Sequence, residues 1–307
     1  MRRLLLWMAS NGWMRRHVPR LWFTKRAVRK FMPGETPGEA ITAASTFKGQ
    51  GMAVIFTRLG ENLTDLKDAD ENAEAYLELM DLADKEGLSA EESVKLTQLG
   101  LDIDEERTYA HMASLLDKAA ATDQQTVWID MEGSAYTEAT IALYERLKQT
   151  YPNVGICLQA YLKRTYSDVE RLLPLDPRIR LVKGAYAEPA QIAYQSRKEV
   201  DANYLALCVS MLAAIKSGSG LFLGLGTHDI DLIHQVADHA KSIGLPRDSF
   251  DVEMLYGIRV DQQRKLKKDG FAVRVLIAYG DYWYPWYMRR LAERPANVVF
   301  ALRQLLP

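Results

Sequence analysis

Arg289 and Arg290 stand side by side after the aromatic run 282–287, and Glu293 follows Arg289 by four residues. That spacing lets a carboxylate brace a guanidinium on one helix face. Guanidinium forks match carboxylates bidentately, so the pair suits an anionic substrate, most simply a carboxylate. Lys95 lies in the otherwise apolar stretch SVKLTQLGL. A lysine there pairs with an acid such as Asp130, binds an anion, or serves as a Schiff-base amine. Lys183, in RLVKGAY, has the same options, and the following Gly184 and Ala185 permit close backbone approach to a ligand. Thr227 and His228 precede a helical stretch, where helix-start amides can hold an anion. His228 and His234 fall on different faces of that helix, so no metal site is expected. No Ser-His-Asp order, Walker loop or HExxH occurs.

These groups need a scaffold, and the chain has one rhythm from Gly51 onward: a short apolar run, a polar loop, then an amphipathic stretch. Expected strands are Ala53–Thr57, Ser93–Thr97, Val127–Met131, Gly155–Ala160, Arg180–Gly184, Leu221–Leu225, Phe250–Leu255 and Ala272–Ile277. Expected helices include Glu105–Ala121, Tyr136–Gln149, Asp229–Ile243 and Asp261–Asp269, with Asp229 as a cap and Gly244 and Pro246 as a stop. Eight such units close a (β/α)8 barrel. An open doubly wound sheet is the competitor, but neither Gly218-Ser-Gly220 nor Gly224-Leu-Gly226 completes GxGxxG. Barrel chemistry sits at the C-terminal strand ends, here Arg58, Glu61, Lys95, Asp130, Glu132, Gln159, Lys183, Thr227, His228, Glu253 and Tyr279. The strand interiors read as Val, Ile, Leu and Ala. Residues 62–92 read as a helix-rich crossover, and Pro33–Pro37 as a hinge between an arm (1–46) and the catalytic barrel (47–307).

The 307 residues carry 39 Lys and Arg against 40 Asp and Glu, which argues against a general nucleic-acid binder. At 48% hydrophobic residues a large core is available. Cys157 and Cys208 read as buried thiols of a cytosolic-type protein. The N-terminus breaks the neutrality: positions 1–34 hold nine Lys or Arg and no acid, interleaved with Trp7, Trp13 and Trp22. Such a segment either lies on an anionic membrane surface or packs on the barrel as a helical arm.

The blocks SVKLTQLGLD, IDMEGSAYTEAT, LQAYLKRT, RLVKGAY, THD, EMLYGIR and WYMRRLAERPANV resemble, in order, those of the proline dehydrogenase family, most closely its small monofunctional bacterial members. The resemblance runs from about Phe47 to the end. It implies a distorted (β/α)8 TIM-type barrel with noncovalent FAD, oxidising L-proline to Δ1-pyrroline-5-carboxylate by hydride transfer and passing electrons to membrane quinone. By the same resemblance, Lys95, Arg289 and Arg290 grip the substrate carboxylate. Asp130 and Arg180 match catalytic positions, Asp130 orienting Lys95. Met131, Gln159, Lys183, Gly184, Ala185, Thr227 and His228 match flavin contacts. Tyr186 and Glu293 support the site, and Glu61 resembles a gating acid. Three departures stand at the substrate end: Leu276 and Trp286 replace tyrosines, and Thr57 replaces an aspartate. Two missing phenols point toward a closely related cyclic or N-substituted amino acid as a further substrate. The residues alone also fit a Schiff-base lysine aldolase barrel or a non-catalytic, membrane-docked barrel.

Overall fold

Strands β1 (Ala53–Arg58), β2 (Ala90–Val94), β3 (Val127–Ile129), β4 (Val154–Gln159), β5 (Arg178–Val182), β6 (Phe222–Gly226), β7 (Asp251–Leu255) and β8 (Ala272–Tyr279) pair in parallel, each with the next. β8 returns to β1, with Ala53 opposite Arg274 and Ile55 opposite Leu276, so the expected barrel is closed. This is a computed structural model that describes residues 5, 7–8, 11–18, 28–60, 63, 65–122 and 126–293, the side chains of 289–293 excepted. The helices are α1 (Gly12–His17), α2 (Pro37–Lys48), α3 (Leu66–Lys85), α4 (Glu105–Ala121), α5 (Thr137–Lys148), α6 (Thr165–Leu172), α7 (Arg197–Lys216), α8 (Ile230–Ser242), α9 (Val260–Lys268) and α10 (Trp283–Glu293).

Period-two alternation divides each strand between two environments. On β5, Ile179 and Leu181 join the large apolar core, and Arg178 and Arg180 have the opposite parity. Val252 and Met254 of β7, and Val273, Val275 and Ile277 of β8, belong to that core in the same way. The apolar core therefore fills the space between the barrel wall and its helices. Helix α3 supplies Ala73, Tyr76, Leu79, Met80 and Ala83 at helical spacing. Tyr76 also ties α3 to the wall, its hydroxyl donating to Ser93 O at 3.1 Å and accepting from Arg58 N at 2.9 Å.

Three local expectations change. β2 is Ala90–Val94, so Lys95 follows the strand and begins a short 3₁₀ turn, Leu96–Leu99. The sequence Ala-Glu-Glu-Ser looks too polar for a strand, yet Glu91 and Glu92 are both buried. Pro33–Pro37 leads directly into α2: Thr36 and Glu39 form a capping box with Pro37 in the first turn. α2 then packs Ala40, Ile41, Ala44 and Phe47 into the barrel core. Finally, the strand interiors are not uniformly apolar, as the site shows.

A second apolar cluster joins the arm to the barrel. Leu5, Val28, Phe31 and Met32 pack with Trp283, Tyr284, Trp286, Tyr287 and Met288 of α10, and with Leu59 and Ala278 just past or near the C-terminal ends of β1 and β8. Arg15 stacks over the Tyr282 ring at 4.9 Å. Trp7 and Trp13 are 57% and 67% exposed. No helix among the described residues is long and apolar enough to cross a membrane.

Candidate active site

The C-terminal strand ends gather most of the candidates. Lys95 follows β2, Asp130 and Met131 follow β3, Gln159 ends β4, Lys183 to Tyr186 follow β5, and Thr227 and His228 follow β6. Gln159 is buried, its Nε2 donating to Met131 O at 3.1 Å. Thr227 Oγ1 accepts from Asp229 N at 3.2 Å, and His228 Nε2 faces Leu255 N at 3.4 Å. Glu132 accepts from Thr97 Oγ1 at 2.7 Å, fastening the β3 loop to the turn that follows Lys95.

Beneath this ring lies a polar knot centred on Arg180, which is 3% exposed. Its Nη1 donates to Ser93 Oγ at 2.8 Å and to Asp130 Oδ1 at 3.3 Å, its Nε donates to Glu253, and its plane covers the Trp128 ring at 4.5 Å. Ser93 Oγ donates to Asp130 Oδ1 at 2.7 Å. Burial alone would weaken the Arg180 charge, but the facing Cys157, Glu253 and Asp130 raise its pKa and keep it cationic. Asp130 is thus held by Arg180 and Ser93. No ion pair joins it to Lys95, so the expected Asp130–Lys95 link is not formed. Lys95 is 8% exposed and has no acidic partner among the described residues.

Lys183 sits differently from the free amine a Schiff base requires. Its Nζ pairs with Asp201 and, at 2.8 Å, with Asp229, and Arg197 Nη2 joins Asp229 at 2.9 Å. Burial would push Asp229 up, but Lys183 and Arg197 prevail and hold its carboxyl at about 2. Asp229 caps α8 by position while its carboxylate serves this network. Gly184 adopts φ 112°, and a Cβ there would meet the Tyr161 ring at 2.2 Å. The close approach that Gly184 permits is therefore already made by Tyr161. Ala185 and Tyr186 are half-buried beside it.

Leu276 is half-buried on β8, and Thr57 is buried on β1. Trp286 is 7% exposed, inside the cluster shared by α10 and the arm. Arg289, Arg290 and Glu293 belong to α10, but their side chains, like Glu61, lie outside the described residues.

Sequence reading missed the depth of the polar interior. Arg274 pairs with Asp251 and, at 3.4 Å, with Glu91, which accepts from Trp128 Nε1 at 2.8 Å. Cys157, expected among apolar neighbours, has its Sγ 3.3 Å from Arg180 Nη1 and 3.4 Å from Asp130 Oδ1. The signal was present as alternation: Glu91 and Ser93, Trp128 and Asp130, Arg178 and Arg180, and Asp251 and Glu253 each share one face. Arg180 Nη2 and Gln159 Oε1 are among the buried polar atoms of this region with no hydrogen-bond partner among the described residues. One donor and one acceptor of this kind fit the polar edge of a heteroaromatic cofactor such as a flavin. No group of three or more His, Cys, Asp or Glu among the described residues forms a metal cage.

A family model described as proline dehydrogenase matches residues 40–303. Proline dehydrogenase 1 of Bacillus subtilis subsp. natto is 33% identical over 306 residues, spanning 100% of this chain and 99% of its own length. Proline dehydrogenase of Deinococcus radiodurans is 33% identical over 281 residues, or 90% of this chain and 89% of its own. Among solved structures, proline utilization A from Bdellovibrio bacteriovorus, inactivated by N-propargylglycine, matches with a TM-score of 0.81. That likeness covers 95% of this chain and 36% of the other at 21% identity, and speaks for the fold.

Proposed function

The chain belongs to the proline dehydrogenase family, a family of oxidoreductases, and we propose that it oxidises L-proline, or a closely related cyclic or N-substituted amino acid, to Δ1-pyrroline-5-carboxylate or the corresponding imine. FAD, held noncovalently, would supply the hydride acceptor, and membrane quinone would take the electrons onward.

Lys95, Arg289 and Arg290 anchor the substrate carboxylate, with Glu293 bracing Arg289. The observation that carries this reading is Lys95 itself: a buried ammonium with no acidic partner among the described residues favours an anionic ligand. Asp130 and Arg180 act at the reacting carbon and nitrogen, Asp130 as an acceptor facing the substrate amine. Met131, Gln159, Gly184, Ala185, Thr227 and His228 line the cofactor. Lys183, spoken for by two carboxylates, braces the loop that carries it. Tyr186, Leu276 and Trp286 shape the substrate end, and Glu61 closes over it. Alignment and charge anchoring are the work such a transfer needs, and no nucleophile is required.

The basic arm is proposed to rest on the inner face of the cell membrane from the cytoplasm, with exposed Trp7 and Trp13 as contacts. The docking arm would then be the basic stretch before α2, since α2 packs into the core of the catalytic barrel.

Anaerobic titration of the purified protein with proline tests the reading. The expected result is a yellow protein whose flavin absorbance bleaches, and Lys95→Met should weaken the apparent affinity roughly 10–150-fold. A colourless protein trapped by borohydride with a carbonyl substrate would favour the aldolase reading instead.

A further inference from the structure

Glu253 is an interior carboxylate that pairs with Arg180 through Nε, away from the Nη1 held by Asp130. It stands on β7, is 4% exposed, and takes Arg180 Nε through Oε2. Its Oε1 is buried with no hydrogen-bond partner among the described residues. The space it occupies depends on β6, because a Cβ on Gly224 would lie 2.3 Å from that Oε1. The guanidinium is therefore gripped at two points: Nε by Glu253, and Nη1 by Ser93 and Asp130. Nη2 is the remaining corner, buried and with no partner among the described residues.

We propose that Glu253 is a positioning residue for Arg180, fixing the guanidinium plane so that Nη1 holds Asp130 and Nη2 is left for the bound reactants. The proposal rests on the reading of Asp130 and Arg180 as the groups at the reacting centre. The charged and titratable groups around Glu253 come from every wall: Glu91 on β2, Asp130 after β3, Cys157 on β4, Arg178 and Arg180 on β5, Asp251 on β7 and Arg274 on β8. Four carboxyls thus face three guanidiniums, so one carboxyl is in excess. Burial pushes Glu253 up, Arg180 and Arg274 pull it down, Glu91 and Asp251 push it up again, and it settles at about 7. As it ionises, its bond to Arg180 becomes doubly charge-assisted and tightens.

The test compares wild type, Glu253→Gln, Glu253→Leu, Gly224→Ala and Arg180→Leu as flavin-loaded full chains. The readouts are flavin content, melting temperature, and dye-coupled kcat and KM with proline from about pH 5.5 to 9.5. Wild-type kcat should rise through an inflection near 7. Glu253→Gln keeps a neutral acceptor for Nε, as the protonated carboxyl does, so its kcat should stay within about 3-fold of the low-pH wild-type value at every pH and lose the inflection. Glu253→Leu should lower kcat roughly 10–100-fold at all pH values with KM changed less than about 3-fold. Gly224→Ala, which pushes the carboxylate aside, should show the same split more weakly. An unchanged kcat and pH profile in Glu253→Leu, with only a lower melting temperature, would overturn the proposal. Equal losses in the Gln and Leu variants would overturn it too. If Arg180→Leu itself retains wild-type kinetics, the underlying site assignment fails; if only that variant is impaired, the positioning role fails.

Discussion

Glu92 and Leu276 show how much a single side chain decides in this barrel. Glu92 is fully buried on β2, and neither carboxylate oxygen has a hydrogen-bond partner among the described residues. Burial, and then the neighbouring Glu91, raise its pKa well above the usual carboxylate range. A carboxyl whose folded-state pKa is raised binds more protons in the folded than in the unfolded chain. Its contribution to stability is therefore complete below the ordinary glutamate value and is lost as pH rises toward the folded one. Glu92→Leu should be more stable than wild type at neutral pH by about 1–3 kcal/mol, and the gain should shrink in acid. Urea melts at several pH values check this; a less stable variant at neutral pH would mean that Glu92 is satisfied. Leu276 lies on β8 opposite Ile55 and is half-buried, and in its proposed role at the substrate end it brings bulk without a hydroxyl. Leu276→Tyr should raise the preference for proline over N-methylproline or pipecolate by roughly 10–200-fold in kcat/KM, the range available to shape and one polar contact. An unchanged ranking would remove Leu276 from the substrate end. Trp286 is a less direct lever, because its ring is buried in the cluster that seats α10.

At the scale of elements, α10 and the N-terminal arm form one packing unit. Trp283, Tyr284 and Tyr287 lie against Val28, Phe31 and Met32, and Trp283 Nε1 reaches Glu35 Oε1 at 3.1 Å. Removing the arm would uncover the helix that carries Arg289 and Arg290. Deletion of residues 1–30 should therefore lower the melting temperature and raise KM for substrate, with vesicle binding affected as well. Trp7→Ser combined with Trp13→Ser removes exposed side chains instead. That double variant should keep its melting temperature within about 2 °C while losing most of its binding to anionic vesicles at low salt. Equal vesicle binding by wild type and the double variant would leave the arm with its packing role alone. The same unit shows what the sequence could convey. Apolar residues at helical spacing marked α4 over its full length, and short apolar runs marked seven of the eight strands to within two residues. β2 was displaced by three residues because its polar side chains face a polar interior, which hydrophobic patterning does not register. The arm's basic charge was legible, but its inner apolar face is defined only by long-range contacts with α10.

For the molecule as a whole, closure of the barrel turns local polarity into a site. Lys95, Asp130, Gln159, Thr227 and His228 are far apart in sequence, and each is placed by a strand end, so the fold rule alone was enough to group them. Arg180 and Glu253 were harder to read, since their pairing spans 73 positions and depends on which face each strand turns inward. The same closure implies that a cofactor fitted over Gln159 and Arg180 stabilises the entire wall, because those residues join β3, β4, β5 and β7 through their hydrogen bonds. A ligand that binds the folded chain alone stabilises it by RT ln(1 + [L]/Kd), about 2.7 kcal/mol at 100 times Kd. For a barrel of this size that corresponds to a rise of roughly 5–10 °C in melting temperature. Stripping the flavin and adding FAD back should restore such a shift in a saturable way, with riboflavin less effective if the phosphates and adenine are also held. Because neither Cys157 nor His228 lies in a recognisable flavin-attachment motif, acid precipitation should release all of the flavin into the supernatant as FAD. A stripped protein whose melting curve ignores added FAD, or a pellet that stays yellow, would show that the barrel does not bind the cofactor noncovalently in this way.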